Sequence, residues 1–441
     1  MFNRDFVTII SMSISTQMYS WTSDLFPICR SLTGRGLRQT LAYLQGLVPE
    51  LQIYEVPTGY KAFDWTVPDE WEINNAFIAN EAGERIIDFQ VNNLHLMSYS
   101  EPIDAIMSFA ELDEHLYSLP SQADAIPYVT SYYKRRWGFC LTERQRAALR
   151  QRPEALYHVK IESRLFAGSL SYGEYVIKGE SKQEVLLSTY ICHPSMANNE
   201  LSGPVVAAAL VQYIKATPRR YTYRIIFIPE TLGSIVYLSK NLEHLQKHVI
   251  AGFVLTCLGD NRAYSYLASR YGNTYADKVA KHVLHDIAPD YKAYSFLQRG
   301  SDERQFCAPG VDLPVCSIMR SKYGEYPEYH TSLDDMQLIS PEGLAGGYNA
   351  LKQCIDIIEN NHIYKAALLC EPQMGARGLY STISHKGSTD GMHNMMNVLA
   401  YADGKNDLLD IADICNIPLV ELLQIINILV ENSLIFKQET N

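Results

Sequence analysis

The sequence predicts an α/β protein: a mostly parallel twisted sheet with helices on both faces, joined to a small β-rich module and a C-terminal winged helix. Three patterns carry this prediction. From about Ala155 to Asn360, strand-like and helix-like segments alternate, which is the signature of parallel strands with crossover helices. Between about Thr58 and Pro153 the texture is different, with short alternating runs and many turn signals. The last stretch, from Asn394 to Lys437, reads helix–turn–helix–helix–strand.

The elements follow in chain order. Residues 1–57 form the N-terminal part of the main domain: helices across 20–51 with a glycine break at TGRG, then a short strand, LQIYEVP. Residues 58–153 form an inserted β-rich domain, with FDWTVP, NAFIANEAGERIIDF and the aromatic PYVTSYYKRRWGF. Residues 154–370 return to the main domain. LYHVKIES and SYGEYVIKG alternate as half-buried strands do, whereas EVLLSTYIC is an apolar run suited to a strand buried on both faces. SGPVVAAALVQYIKA follows as a helix. The strand YRIIFIPE, a helix from about Gly233, the strand HVIAGFVLTCLG, a helix over about 274–285, the strand LPVCSIM and a helix over 341–360 complete the alternation. Residues 371–441 form the winged-helix domain.

At 441 residues and 47% hydrophobic content the chain has ample material for a large core, which excludes a disordered or coiled-coil protein. Its net charge of −11 argues against a general nucleic-acid binder, which needs a basic face. The winged helix repeats the argument locally: 394–437 carries a net charge of −4 and no arginine, so it is expected to dock or pack against protein and not to read DNA. Nine cysteines, odd in number and without a CxxC pair, read as reduced thiols in a cytoplasmic protein. The apolar stretch at 6–14 is interrupted by Ser and Thr and lacks a cleavage signature, and no later run is long enough for a membrane span.

In a parallel sheet the ligand site lies at the carboxyl ends of the strands. The segments there are CHPSMANNELSG, PETLGS, LGDNRAYSY, RGSDERQF and YGEYPEYHTSLDD. They bring His193 and His330 into the same layer as Glu230, Asp260, Asp302 and Glu303. Imidazoles with carboxylates at an open site suit a hydrolytic zinc, and a carboxylate off the metal can take a proton from water. The same residues also suit a metal-free binding site. His244 and His248 lie one helical turn apart without the glutamate of a zinc-protease helix and read as a solvated face, as do His282 and His285.

CHPSMANNELSGPVVAAAL, FIPETLGS, GSDERQF and EYPEYHTSLDD resemble the bacterial aminopeptidase-like family of the zinc exopeptidase clan. FDWTVPDEW, NNLHLMSYSEP and DAIPYVTSYYKRRWGFC are similar to that family's inserted domain, and EPQMGARGLY with the tail to its winged helix. The resemblance implies a zinc-exopeptidase-like fold, metal ligation by His193 and His330, and Glu230 as general base. Thr231 stands at a metal-binding glutamate of the clan, Asn199 at its bridging aspartate, and Asp260 near its third carboxylate. The metal candidates are therefore His193, His330, Asn199 and Asp260, and the resemblance with these replacements implies one zinc ion at most. Asp302, Glu303, Arg304, Tyr326 and Tyr329 are the candidate substrate-binding residues; Arg304 or Arg320 would pair with a carboxylate or phosphate.

The expected function is zinc-dependent hydrolysis of an amide bond in a small amino-acyl or N-acyl substrate. The resemblance also implies a link to surface-polysaccharide biosynthesis. The alternative is a degenerate member that binds a sugar, peptide or protein partner without turnover. A transcription regulator with an enzyme-like sensor is disfavoured by the acidic tail.

Overall fold

A computed structural model describes residues 12–379 and 390–438, without the side chains of 390–392 and 420. The first part of the apolar stretch at 6–14 lies outside these residues. The chain divides into two compact units, 1–280 with 290–352, and 281–289 with 353–441.

The first unit is built on an eight-stranded sheet. Four parallel strands form its middle, in the order Thr222–Ile228, Glu184–Tyr190, Val249–Leu255 and Val315–Met319. Every residue of Glu184–Tyr190, Thr222–Ile228 and Val315–Met319 is buried, as continuous apolar strands between two helical layers should be. Ser169–Ile177 and Gln52–Pro57 extend one edge in antiparallel pairing; Ser265–Leu267 and Lys292–Tyr294 extend the other.

Helices Ser202–Lys215 and Leu232–His248 follow Glu184–Tyr190 and Thr222–Ile228 in sequence and supply the crossovers. The first starts in a single π turn, Ala197–Leu201, a wider coil that recurs at functional sites. Gly203 sets how closely this helix approaches the sheet. A Cβ there would overlap Leu255 O and Thr189 Oγ1.

The inserted region has its own antiparallel sheet, ordered Arg85–Asp88, Glu70–Ala79, Leu156–Phe166, Ile103–Ser108. Its core contains Trp71, Ile78, Phe109, Phe139, Val159 and Ile161. Leu156–Phe166 falls beyond the expected boundary at 153, yet it pairs with Glu70–Ala79 and Ile103–Ser108 and completes this sheet. The alternation in LYHVKIES is real; its partners are in the insert.

In the second unit, helices Asp390–Tyr401, Leu408–Cys415 and Leu419–Glu431 accompany a three-stranded sheet. Ile363–Ala366 is its middle strand, between Asp403–Asp407 and Ile435–Lys437. This strand precedes the expected start at 371. Leu408, Leu409, Ile411, Leu422, Ile425, Ile426 and Leu429 are buried, while Leu423 is partly exposed.

All nine cysteines are free and six are buried; Cys370 is exposed. His244 is exposed, and its Nε2 also lies 2.7 Å from Glu184 Oε1, in an ion-pair network with Arg224. Among the described residues no helix is long and apolar enough to cross a membrane.

Gly203→Ala should destabilise the protein by about 1–3 kcal/mol through overpacking. Denaturant midpoints of the two proteins test this, and an unchanged midpoint would show that the helix can shift at no cost.

Candidate active site

The strand ends bring His193, Glu230 and His330 together, with Glu200 and Arg30 beneath them. His193 follows the buried strand Glu184–Tyr190 and is itself 4% exposed. Its Nδ1 lies 2.6 Å from Glu200 Oε2, and its Nε2 lies 3.6 Å from Glu230 Oε2. The fully buried Arg30 donates from Nε to His193 O at 2.9 Å and from Nη1 to Leu25 O at 2.7 Å. Ring and backbone of His193 are therefore fixed independently. Burial opposes charge on the imidazole, but the neighbouring Cys192 and then Glu200 outweigh it, and the His193 pKa is raised. Glu230 is also raised, chiefly by burial, with His193 opposing.

His330 packs its ring on Tyr329, at 3.9 Å between centroids and nearly parallel. Its centroid is 5.1 Å from that of His193. Its ring nitrogens have no hydrogen-bond partner among the described residues. Burial and the neighbouring His193 lower its pKa to about 3, so it is a neutral imidazole with an open lone pair.

Backbone strain concentrates in the same layer. Ser195, Thr231, Cys257 and His330 all have positive φ, at 45°, 65°, 52° and 56°. Such conformations persist only where surrounding contacts impose them. At Thr231, a β-branched residue, the N–H donates to Asp302 Oδ1 at 2.7 Å and Oγ1 accepts from Arg304 Nη2.

The remaining candidates are already engaged. Asn199 Oδ1 accepts from the Tyr190 hydroxyl at 3.2 Å, and its N–H donates to Asp334 Oδ2 at 3.0 Å. Asp260 accepts from Asn198 Nδ2, Arg262 N, Ser321 N and Ser321 Oγ, all at 2.8–2.9 Å. It braces the loops, and four donors leave it no vacancy for a metal. Asp302 binds Thr231 N and Ser234 Oγ; Glu303 binds Gly300 N, Ser301 N and the Tyr323 hydroxyl. The Tyr326 hydroxyl donates to Asp334 Oδ2 at 2.9 Å, so it supports the Asn199 loop from below. Arg304 stays beside the site with a buried Nε that has no partner among the described residues. Arg320 lies over Tyr264, 3.9 Å from the ring centroid.

These contacts decide what metal the residues suit. Asn199, Thr231 and Asp260 do not supply the carboxylates that two close dications need, so a two-ion centre does not fit. The open donors are His193 Nε2 and His330, two imidazoles suited to one zinc ion, with Glu230 beside them as a carboxylate able to take a proton. Among the described residues, the group of three whose ligand atoms all lie within 4.8 Å of one another is Cys192, His193 and Glu200. That group orients His193: it uses Nδ1, the nitrogen bound to Glu200, and burial pushes the Cys192 thiol up to about 11. A carboxylate holding the far nitrogen of a ligating histidine is a recurrent metal-site arrangement.

Glu200, Arg30, Asp334 and Tyr128 were absent from the sequence-based set. Glu200 had one signal, its place in the polar run ahead of the helix. Arg30 had none.

The sheet order, the strand-end histidines and the π turn define a protein with the zinc-aminopeptidase fold. A zinc aminopeptidase from Bacillus subtilis superposes with a TM-score of 0.57 at 14% identity, covering 77% of this chain and 94% of that one. A peptidase from Shewanella amazonensis gives 0.54 at 12%, covering 81% and 97%. More specifically, the chain belongs to the family described as a domain of unknown function, DUF4910, whose model matches residues 19–361; a winged helix-turn-helix model matches 362–437. A Clostridium acetobutylicum protein, named for polysaccharide biosynthesis and an aminopeptidase-like domain, is 45% identical over 400 residues, 90% of each chain. A crystal structure from the same organism, named as a peptidase, superposes with a TM-score of 0.89 at 41% identity, covering 96% of both chains.

Asp302 generates a prediction. Burial and then Glu230 raise its carboxyl to about 8, and its Oδ2 is buried without a partner among the described residues. A carboxyl raised in the folded state contributes stability at low pH that is lost as pH rises through the folded value. Asp302→Asn keeps the Oδ1 acceptor and removes this ionisation. Its Tm advantage over the parent should grow between about pH 4 and pH 8 and then level. Melting curves across that range test this; a constant difference would show that Asp302 is ionised throughout.

Proposed function

We propose that the chain is an aminopeptidase-like hydrolase that cleaves an amide bond in a small amino-acyl or N-acyl substrate, with a single zinc ion at His193 and His330. The observation that carries this reading is the 3.6 Å approach of His193 Nε2 to Glu230 Oε2 while Glu200 locks the other nitrogen. Zinc held there supplies Lewis acidity to the scissile carbonyl. Glu230 takes the proton of the attacking water, and its raised pKa brings it nearer the working pH of a general base. Glu200 keeps Nδ1 occupied and aims Nε2 outward. Arg304, whose charge lies beside Glu230, pairs with an anionic group of the substrate. Tyr329 holds the His330 ring by stacking.

A second reading is binding of a sugar, peptide or protein partner without turnover. It is favoured by Asp260, Asp302 and Glu303, all of which serve protein contacts. The two readings separate in one experiment. Protein purified without chelator should hold at most one equivalent of zinc by elemental analysis. Glu230→Gln should lower kcat on aminoacyl and N-acyl amide panels about 10²–10⁴-fold with metal content unchanged. Metal loss in that variant would make Glu230 a ligand. Metal-free wild-type protein with no turnover would favour the binding reading.

The link to surface-polysaccharide biosynthesis is proposed from the name of the Clostridium relative. For the winged helix we propose a docking role in the cytoplasm. Its helix Leu419–Glu431 exposes Gln424, Asn427 and Val430 and has no basic residue. DNA titration near physiological ionic strength should show no micromolar binding; tight, salt-steep binding would overturn this assignment.

A further inference from the structure

The inserted domain reaches the two histidines through Tyr128. It stands on a loop, 119–134, that lies between strands of the insert and runs against the segment carrying His330. Tyr128 N–H donates to His330 O at 2.9 Å. One step earlier, Ile126 N–H donates to Ser332 Oγ at 3.0 Å and Ser332 N–H returns to Ile126 O at 2.9 Å. Pro127 and Thr331 form a β-bridge between these bonds, and Gln122 Nε2 donates to Pro327 O at 2.7 Å. The two loops are thus stitched along their length, and the stitching spans the residue whose backbone is strained, His330 at φ 56°.

The Tyr128 ring then meets both imidazoles. Its centroid is 5.1 Å from that of His193 and 5.3 Å from that of His330, the latter edge-on at 81°. Tyr329 covers one face of His330 and Tyr128 blocks its side, so the ring has little freedom to turn. The Tyr128 hydroxyl has no hydrogen-bond partner among the described residues, so what the residue lends the two histidines is its ring and its backbone.

We propose that Tyr128 is a positioning residue: through it the inserted domain holds His330 in its strained conformation and sets the spacing of the two histidines. The insert is then a working part of the histidine site. This inference rests on the reading above only in its metal readout.

The test uses full-length protein with Tyr128→Ala, Tyr128→Leu and Tyr128→Phe. The first readout needs no metal: diethyl pyrocarbonate modification of His330 in chelator-treated protein, followed by peptide mass spectrometry. Tyr128→Ala should raise the rate severalfold, and Tyr128→Phe should restore the parent rate. Tyr128→Leu serves if the alanine variant does not fold. The second readout is cobalt(II) titration followed by its visible absorption. Tyr128→Ala should weaken affinity about 10–100-fold, as loss of orienting contacts around a ligand does, with Tyr128→Phe again near the parent. An unchanged modification rate in a folded alanine or leucine variant would overturn the proposal. If the parent takes up no cobalt, the one-ion reading fails, and the modification rates still decide the role of Tyr128.

Discussion

The contact on which the site depends is the buried pair between His193 Nδ1 and Glu200 Oε2, at 2.6 Å. A carboxylate stripped of water is costly unless it meets a charged or hydrogen-bonding partner. Glu200 is fully buried, and His193 is its hydrogen-bond partner. Arg30, also fully buried, lies close enough to add its charge. Glu200 offsets the charge of Arg30 and holds the His193 ring by a hydrogen bond, and this lets the chain place an imidazole at the floor of a buried strand end. Everything further out depends on that ring: the reach of Nε2 toward Glu230, and the packing of Tyr128, Tyr190 and His330 around it.

A second constraint sits behind the first. Asp334 gathers the N–H groups of Asn198 and Asn199 and the Tyr326 hydroxyl, and so pins the π turn that presents Glu200. Its carboxyl is raised to about 6 by burial. The loop after His330 therefore supports the loop after His193. Neither strand end is organised by its own segment alone, which accounts for the crowding of positive-φ residues there: each is held by contacts from a different loop.

Much of the fold was legible because strands buried on both faces leave a blunt mark, as in EVLLSTYIC, and because one such strand must be followed by a crossover helix. Once the sheet was legible, His193, Glu230 and His330 followed from their positions at strand ends. The parts that stayed hidden share a cause. Arg30 is 163 residues from the carbonyl it holds, and Tyr128 is a single aromatic residue in a segment rich in them. Asp260 fits the same strand-end rule as Glu230, yet four donors claim it. Position in a sheet tells which residues face the site layer; it does not tell which have spent their valences on the protein. The boundaries erred for a related reason: Leu156–Phe166 and Ile363–Ala366 each join a sheet whose other strands lie elsewhere in the chain.

The strand Leu156–Phe166 closes the sheet of the insert, and after only two residues Ser169–Ile177 enters the main sheet. Gly168 packs so tightly on Glu70 that even a methyl group would collide there. A joint this short has little slack for rotation, so the insert does not have the build of a swinging cap.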